Sequence, residues 1–281
     1  MTMLKMVDVY SGSPRSYATQ SGVDVIMVKA TQGTGYVNPY CDVDYQAAKK
    51  AGKLLGIYHY LSGGNPEAEA RCFYGNVKGY IGEAVTAADW ESGQNSSWGN
   101  RNYVRRFVDE FHRLSGVWPL VYVQASALNQ VANCSKNCGL WVASYPSMNW
   151  KSWNIPNMKV NTYPWSTYTI WQFTGDNMDR NLVNTTREGW KKLAKGTKAT
   201  PKKSTWVKKA GEFILGEALK IHESPHIDSP AIAKLPKGSV VKYDATLQGP
   251  LRLWLRQPRK NGKYGYIVAK DKYGKALGKF R

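Results

Sequence analysis

Two carboxylates stand two residues apart in the run VTAADWESG, Val85 to Gly93: Asp89 and Glu91, with Trp90 between them. In an extended strand side chains alternate between faces, so Ala87, Asp89 and Glu91 share one side and Trp90 takes the other. Carboxylates crowded in a cleft cannot all ionise freely, because loss of water and like charge raise one pKa while another stays low. A protonated acid beside an ionised one is what glycoside cleavage requires: the first protonates the leaving oxygen, and the second stabilises or attacks at the anomeric carbon. An isolated D-x-E is more often a helix cap or a solvated strand end, so the motif depends on its company. Asp8 ends the run MVDVY and Asp179 follows the run TIWQFT, which brings four acids within reach of one rim. Tyr58 and Tyr60 in GIYHY, Tyr122 in VYV, Tyr145 in WVASY and Trp171 in TIWQF end or line the same runs. Such rings either stack on pyranose faces or fill a core.

The elements that must position these residues are legible as periodicity. KMVDVY, DVIMVKA, LLGIYHY, VTAADWE, PLVYVQ, LWVASY and TIWQFT read as seven buried strands. Between the early ones lie the helical patterns DVDYQAAKKAGK, PEAEARCFYGNV and NRNYVRRFVDEFHRLSG; in the last, Val104, Phe107, Val108, Phe111 and Leu114 share one face. Alternating strand and helix predicts an α/β fold, an irregular TIM-like β/α barrel with fewer helices toward its end, and an open doubly wound sheet is the runner-up. In a parallel barrel the active site forms at the carboxyl ends of the strands, where Asp89 and Glu91 stand. KGTKATPKKST then interrupts all apolar periodicity, as an exposed linker over residues 195–205 would. Beyond it GEFILGEALKI, PKGSVVKYD, LRLWLRQ, the turn NGKYG and YGYIVA predict a small all-β barrel over 206–281, following a barrel domain over 1–194.

The chain's 281 residues, 42% hydrophobic, are enough for one large domain and one small one. The net charge of +19 is unevenly spread: residues 1–200 hold 21 Lys/Arg against 14 Asp/Glu, residues 201–281 hold 18 against 6. Such a tail is drawn to polyanions, whether nucleic acid, anionic lipid or the anionic polymers of a bacterial envelope. No run approaches the roughly 20 apolar residues of a membrane span, and Met1 to Val7 lacks the apolar core of a signal peptide. Cys41, Cys72, Cys134 and Cys138 read as reduced thiols, with a local Cys134–Cys138 bridge left open; a zinc site joining the last two to His222 and His226 is disfavoured by the distance between them along the chain. No metal and no cofactor is expected.

In their order these motifs resemble the glycoside hydrolase family 25 lysozymes, the muramidases of bacteriophages and bacteria. Asp8 in VDVY resembles the family's first-strand aspartate, and VKATQG with AAKKAGKLLGIYHY resembles its second- and third-strand region. DWE resembles its D-x-E, while LWVASY, TIWQFT and DRNLV resemble its later strands and closing aspartate segment, so the resemblance runs from about Met6 to Trp190. It implies an irregular β/α barrel that hydrolyses peptidoglycan between N-acetylmuramic acid and N-acetylglucosamine. It implies Glu91 as general acid, Asp89 as its electrostatic partner, Asp8 and Asp179 as flanking acids, and Tyr60, Tyr122, Tyr145 and Gln172 as sugar contacts. The sequence departs from the family at Gln32, where many members carry glutamate, and at DVYSGSP after the first aspartate.

The basic tail, with LWLRQPRKNGKYGYI, resembles the bacterial SH3-type modules that bind cell wall. Its Trp254, Tyr264 and Tyr266 then either form a wall-binding groove or fill a small core. The reading that results is a two-domain phage endolysin, made in the host cytoplasm and reaching peptidoglycan through a membrane lesion made by another protein, with no specific nucleic-acid partner. Two other readings are a catalytically inactive wall-binding protein and an amidase or peptidase lysin, the latter usually needing a zinc cluster or a Cys/His pair. A nucleic-acid-binding protein would explain the basic tail and leave the carboxylates without a role.

Overall fold

Strand and helix alternate through the first half of the chain in the order the periodicity predicts. The computed structural model describes residues 3–196, 206–225, 227, 229–248, 252–271 and 275–281. Its elements are β1 (Leu4–Val9), β2 (Val25–Gln32), β3 (Tyr36–Val37), α1 (Cys41–Lys50), β4 (Leu54–Tyr60), α2 (Pro66–Val77), β5 (Val85–Trp90), α3 (Tyr103–Ser115), β6 (Leu120–Gln124), β7 (Leu140–Ala143), β8 (Ile170–Thr174), β9 (Asp179–Val183) and α4 (Arg187–Lys195). Local chemistry sets several boundaries. Asn65 caps α2 by accepting from the Ala68 N–H at 2.9 Å, with Pro66 at the first helical position. Gly116 ends α3 at φ 74, a left-handed conformation that favours glycine.

Eight strands close into a barrel in the order β1, β2, β4, β5, β6, β7, β8, β9, with β3 as a short hairpin arm on β2. Neighbours from β1 to β8 run parallel, and β9 runs antiparallel to both β8 and β1. The doubly wound alternative is therefore excluded. The sequence predicted seven strands and missed this eighth, because DRNLV is five residues long and opens on two charges. It also predicted few late helices: between β6 and β9 the chain makes only short turns of 3-10 helix, and residues 144–169 join β7 to β8 without one.

Side chains alternate across the wall. Met6, Val25, Met27, Val85, Ala87, Leu120, Trp141 and Ile170 fill the interior, joined by Trp190 of α4, whose Nε1 donates to the Leu55 carbonyl at 2.9 Å. Gly56 makes room there, since a Cβ would meet the Met27 Sδ at 2.6 Å. Outside, Val7, Ile26, Ile57, Ala88, Trp90 and Val121 pack against Phe73 of α2 and Val104, Phe107, Val108 and Phe111 of α3, the last four on the helix face that periodicity predicts. Burying each such side chain contributes about 1.5–3 kcal/mol.

The chain divides into two compact units, Met1–Ala199 and Thr200–Arg281. Most of the expected linker, residues 197–205, lies outside the described residues. Among its described residues the second unit is built of strands with one 3-10 turn, Lys260–Gly262: β10 (Val207–Leu215), β11 (Leu219–His222), β12 (Ala231–Leu235), β13 (Val240–Gln248), β14 (Leu253–Pro258), β15 (Tyr264–Lys270) and β16 (Gly278–Phe280). They form one sheet in the order β12, β11, β15, β14, β13, β10, β16, over a core that includes Phe213, Val241, Leu255 and Ile267.

Candidate active site

The carboxyl ends of the parallel strands open on a cavity of about 310 Å³. Asp8 of β1, Lys29 of β2, Tyr58 and Tyr60 of β4, Asp89 of β5 with Glu91 just beyond it, Tyr122 of β6, Trp141 of β7 with Tyr145 after it, Gln172 of β8, Asp179 of β9, and Tyr10 line it. Asp179 reaches this rim because β9 is reversed: its amino end lies where its neighbours have their carboxyl ends, and it pairs in register with Asp8. Trp90 points the other way and is fully buried, its ring 5.6 Å from Trp98 and 5.3 Å from Tyr103, with Nε1 donating to Gln130 Oε1 at 2.8 Å.

Hydrogen bonds fix the acids unequally. Asp8 Oδ1 accepts from Asn181 Nδ2 at 2.7 Å and from Gln172 Nε2 at 3.1 Å. Asn181 in turn accepts from Trp141 Nε1 at 2.8 Å, and Gln172 Oε1 accepts from the hydroxyls of Tyr122, at 2.8 Å, and Tyr145. Asp89 is 7% exposed, and its Oδ1 is buried with no hydrogen-bond partner among the described residues. Burial, with the charge of Asp179, pushes the Asp8 carboxyl well above the ordinary range against the pull of its two amide donors. Burial and the neighbouring Glu91 push Asp89 up as well. Glu91 is raised by burial and drawn back by the Tyr122 hydroxyl and Lys29. Asp179 is pushed to about 6 by burial and by Glu91. Burial, helped by like charges in one small cavity, therefore holds protons on these carboxyls at a pH where surface carboxylates have lost theirs. Lys29 is the one cation among the lining residues; its Nζ donates to Gln32 Oε1 at 2.7 Å and sits 4.5 Å from the centre of the Tyr60 ring.

All eight residues singled out from sequence for catalysis and sugar contact, Asp8, Asp89, Glu91, Asp179, Tyr60, Tyr122, Tyr145 and Gln172, line this one cavity, and Tyr58 joins them. Trp171 does not: it packs outside the barrel wall, its Nε1 donating to the Ser144 carbonyl at 2.8 Å. Sequence reasoning missed Lys29, Tyr10, Trp141 and the supporting Asn181; the available signal was a lysine inside the apolar run VIMVKA. Gln32 turns aside to bond Gln94 Oε1 at 2.8 Å. The four cysteines are free thiols, Cys134 and Cys138 included. His226 lies outside the described residues, and His222 Nδ1 faces the Ser229 carbonyl at 2.9 Å. Among the described residues no group of three or more His, Cys, Asp or Glu is placed to hold a metal ion. In the second unit Tyr264 and Tyr266 line a groove of about 1040 Å³ beside Arg259, Lys260 and Lys263. Trp254 is a core residue, 5% exposed and packed with Leu247 and Val268.

Residues 7–182 match the family model described as glycosyl hydrolases family 25. The chain is similar to an autolytic lysozyme of Clostridium acetobutylicum, 32% identical over 148 residues, which are 50% of this chain and 45% of that protein. It therefore spans less than half of that relative's length. It is also similar to an N,O-diacetylmuramidase of Chalaropsis sp, 28% identical over 205 residues, covering 64% of this chain and 92% of that one. A solved family 25 lysozyme from Aspergillus fumigatus shares the fold with a TM-score of 0.57 at 24% identity, over 69% of this chain and all of that one. With the family model spanning more than half of the chain, the chain belongs to glycosyl hydrolases family 25.

Proposed function

We propose that this protein is a muramidase that hydrolyses the β-1,4 bond between N-acetylmuramic acid and N-acetylglucosamine in peptidoglycan, serving as a phage endolysin. The observation that carries the proposal is the convergence of Asp8, Asp89, Glu91 and Asp179 in one tyrosine-lined cavity, with the buried Asp89 Oδ1 lacking a partner among the described residues. An orphaned buried acceptor is costly, and the acetamido N–H of a muramoyl residue would satisfy it. Protonated Glu91 donates its proton to the leaving glycosidic oxygen as the C1–O bond breaks. The acetamido carbonyl oxygen attacks C1, and Asp89 steadies the positive charge on the oxazolinium ring that forms. Water then opens that ring at C1, returning a proton to Glu91 and restoring the acetamido group with net retention. Asp8, held by Asn181 and Gln172, and Asp179 flank the reacting sugar, and Tyr60, Tyr122, Tyr145 and Gln172 contact it.

The names of the relatives, a lysozyme and a diacetylmuramidase, belong to the same chemistry. The second unit holds the protein on the wall as an SH3-type module, supported by its excess of Lys and Arg and by the groove between Tyr264, Tyr266 and the basic side chains Arg259, Lys260 and Lys263. A hydrolytic barrel joined to a basic β unit suits an endolysin acting on a wall rich in anionic polymers. Mass spectrometry of purified peptidoglycan digested by the full chain tests the reading. Fragments ending in reducing N-acetylmuramic acid are expected; free peptides with intact glycan strands would make it an amidase or peptidase, and an undigested wall would make it a binding protein.

A further inference from the structure

We infer that Glu69, a buried carboxylate on α2 outside the barrel wall, is a positioning residue for Glu91: it fixes the turn after β4, and that turn holds the loop that carries the acid. The inference rests on the muramidase reading, in which Glu91 is the proton donor. Glu69 is 1% exposed and is not among the residues lining the sugar cavity. Its Oε1 accepts from the Gly63 N–H at 3.1 Å, the Gly64 N–H at 3.3 Å and the Tyr103 hydroxyl at 2.7 Å. Its Oε2 accepts from the Ser62 N–H at 3.1 Å and faces His59 Nε2 at 2.9 Å, while the other ring nitrogen of His59 lies 2.7 Å from Thr31 Oγ1. Burial alone would raise this carboxyl, yet the partners from His59, Tyr103 and Ser62 hold it below the ordinary range. A buried charge so fully satisfied is stable as a carboxylate, and three of its bonds go to consecutive backbone N–H groups of one turn.

That turn is packed directly on the loop after β5. The Ser96 N–H donates to the Ser62 carbonyl at 3.0 Å, and the Ser96 hydroxyl to the Gly63 carbonyl at 2.9 Å. Gly63 adopts φ +89, and a Cβ there would lie 2.3 Å from the Ser97 nitrogen and 2.6 Å from Asn95 Oδ1. Asn95 closes the path, its Nδ2 donating to the Glu91 carbonyl at 2.8 Å. Two further bonds join the same pieces of chain: the Leu61 N–H donates to the Asp89 carbonyl at 3.0 Å, and the Tyr60 hydroxyl donates to the Gly93 carbonyl. Glu91 thus stands at the end of a run of backbone contacts that begins at Glu69.

The test compares Glu69→Gln, Gly63→Ala and Glu91→Gln with the native full chain on soluble, uncrosslinked peptidoglycan strands. Glu69→Gln keeps one acceptor oxygen and turns an amide donor toward Ser62. Gly63→Ala leaves Glu69 and the acid intact and pushes the same loop from the other side. Each is expected to lower kcat by about 10- to 100-fold, the scale of an ångström of misplacement, with KM within about twofold. Each is also expected to move the alkaline limb of the pH profile, where Glu91 loses its proton, to lower pH. Asp8, Asp89, Asp179, Lys29, Tyr60, Tyr122 and Tyr145 face Glu91 in the native cavity. A loosened loop lets water in among them, and water lowers a carboxyl pKa that burial has raised. A purely structural role would lower the melting temperature and leave kcat and the limb where they are; that result in both folded variants overturns the inference. If one of the two fails to fold, the other decides. Glu91→Gln with full activity would overturn the muramidase reading itself, whereas an inactive Glu91→Gln beside an unaltered Glu69→Gln would overturn only the role of Glu69.

Discussion

Asp89 and Glu91 share a face and a cavity, yet the fold treats them differently. Asp89 is buried and its Oδ1 has no hydrogen-bond partner among the described residues, while Glu91 is half-buried. This pair was legible because strand alternation is strict: a two-residue spacing puts both acids on one face and Trp90 on the other. Lys29 was not, since a lysine in an apolar run has no spacing that marks it, and only the closed barrel shows it facing the acids from β2. Its charge lowers both carboxyl pKa values. Removing it in Lys29→Met raises both. Both limbs of the activity profile should therefore shift to higher pH. The profile of initial rates against pH measures this, and limbs that stay in place would show that Lys29 acts only through its packing on Tyr60.

At the scale of elements, the seven strands and three early helices were readable from apolar periodicity, and the closing strand β9 was not. Its sequence is short and mixed, and its place depends on pairing with β1, a contact nearly the whole length of the barrel away along the chain. Asp179 was expected after the last strand, and it stands instead at the start of a reversed one, which still brings it to the rim of the carboxylate cavity. Trp171 shows the same limit: alternation says that a side chain faces in or out, and only the register says which. Trp90 ties β5 to the outer layer through Trp98, Tyr103 and Gln130. Trp90→Ala should cost about 3–5 kcal/mol in chemical denaturation, the range for deleting a fully buried aromatic, and lower activity by misplacing both acids. A cost under about 1 kcal/mol would mean that β5 is held by its strand partners alone.

At the scale of the whole molecule, the division into two units and the basic excess of residues 201–281 were both visible in composition. Which aromatics of the second unit line its groove was not, because Trp254 and Tyr264 carry the same alternation signal in small strands, and Trp254 proves to be core. The proposed endolysin role carries a prediction at this scale. Expressed inside a bacterium with a susceptible wall, the full chain should leave cells intact until a pore-forming protein opens the membrane, then lyse them. The same chain shortened to residues 1–196 should lyse them more slowly and sediment less with isolated walls; equal lysis and sedimentation by both would remove the wall-binding role of the second unit. The central claim is that the carboxylate cavity opens the glycan bond with Glu91 as its acid. The most direct test is mass spectrometry of purified peptidoglycan digested in parallel by the native full chain and by a folded Glu91→Gln variant. Fragments ending in reducing N-acetylmuramic acid from the native chain, reduced by about 100-fold or more in the variant, are the predicted result. The same fragments at the same rate from Glu91→Gln would contradict it.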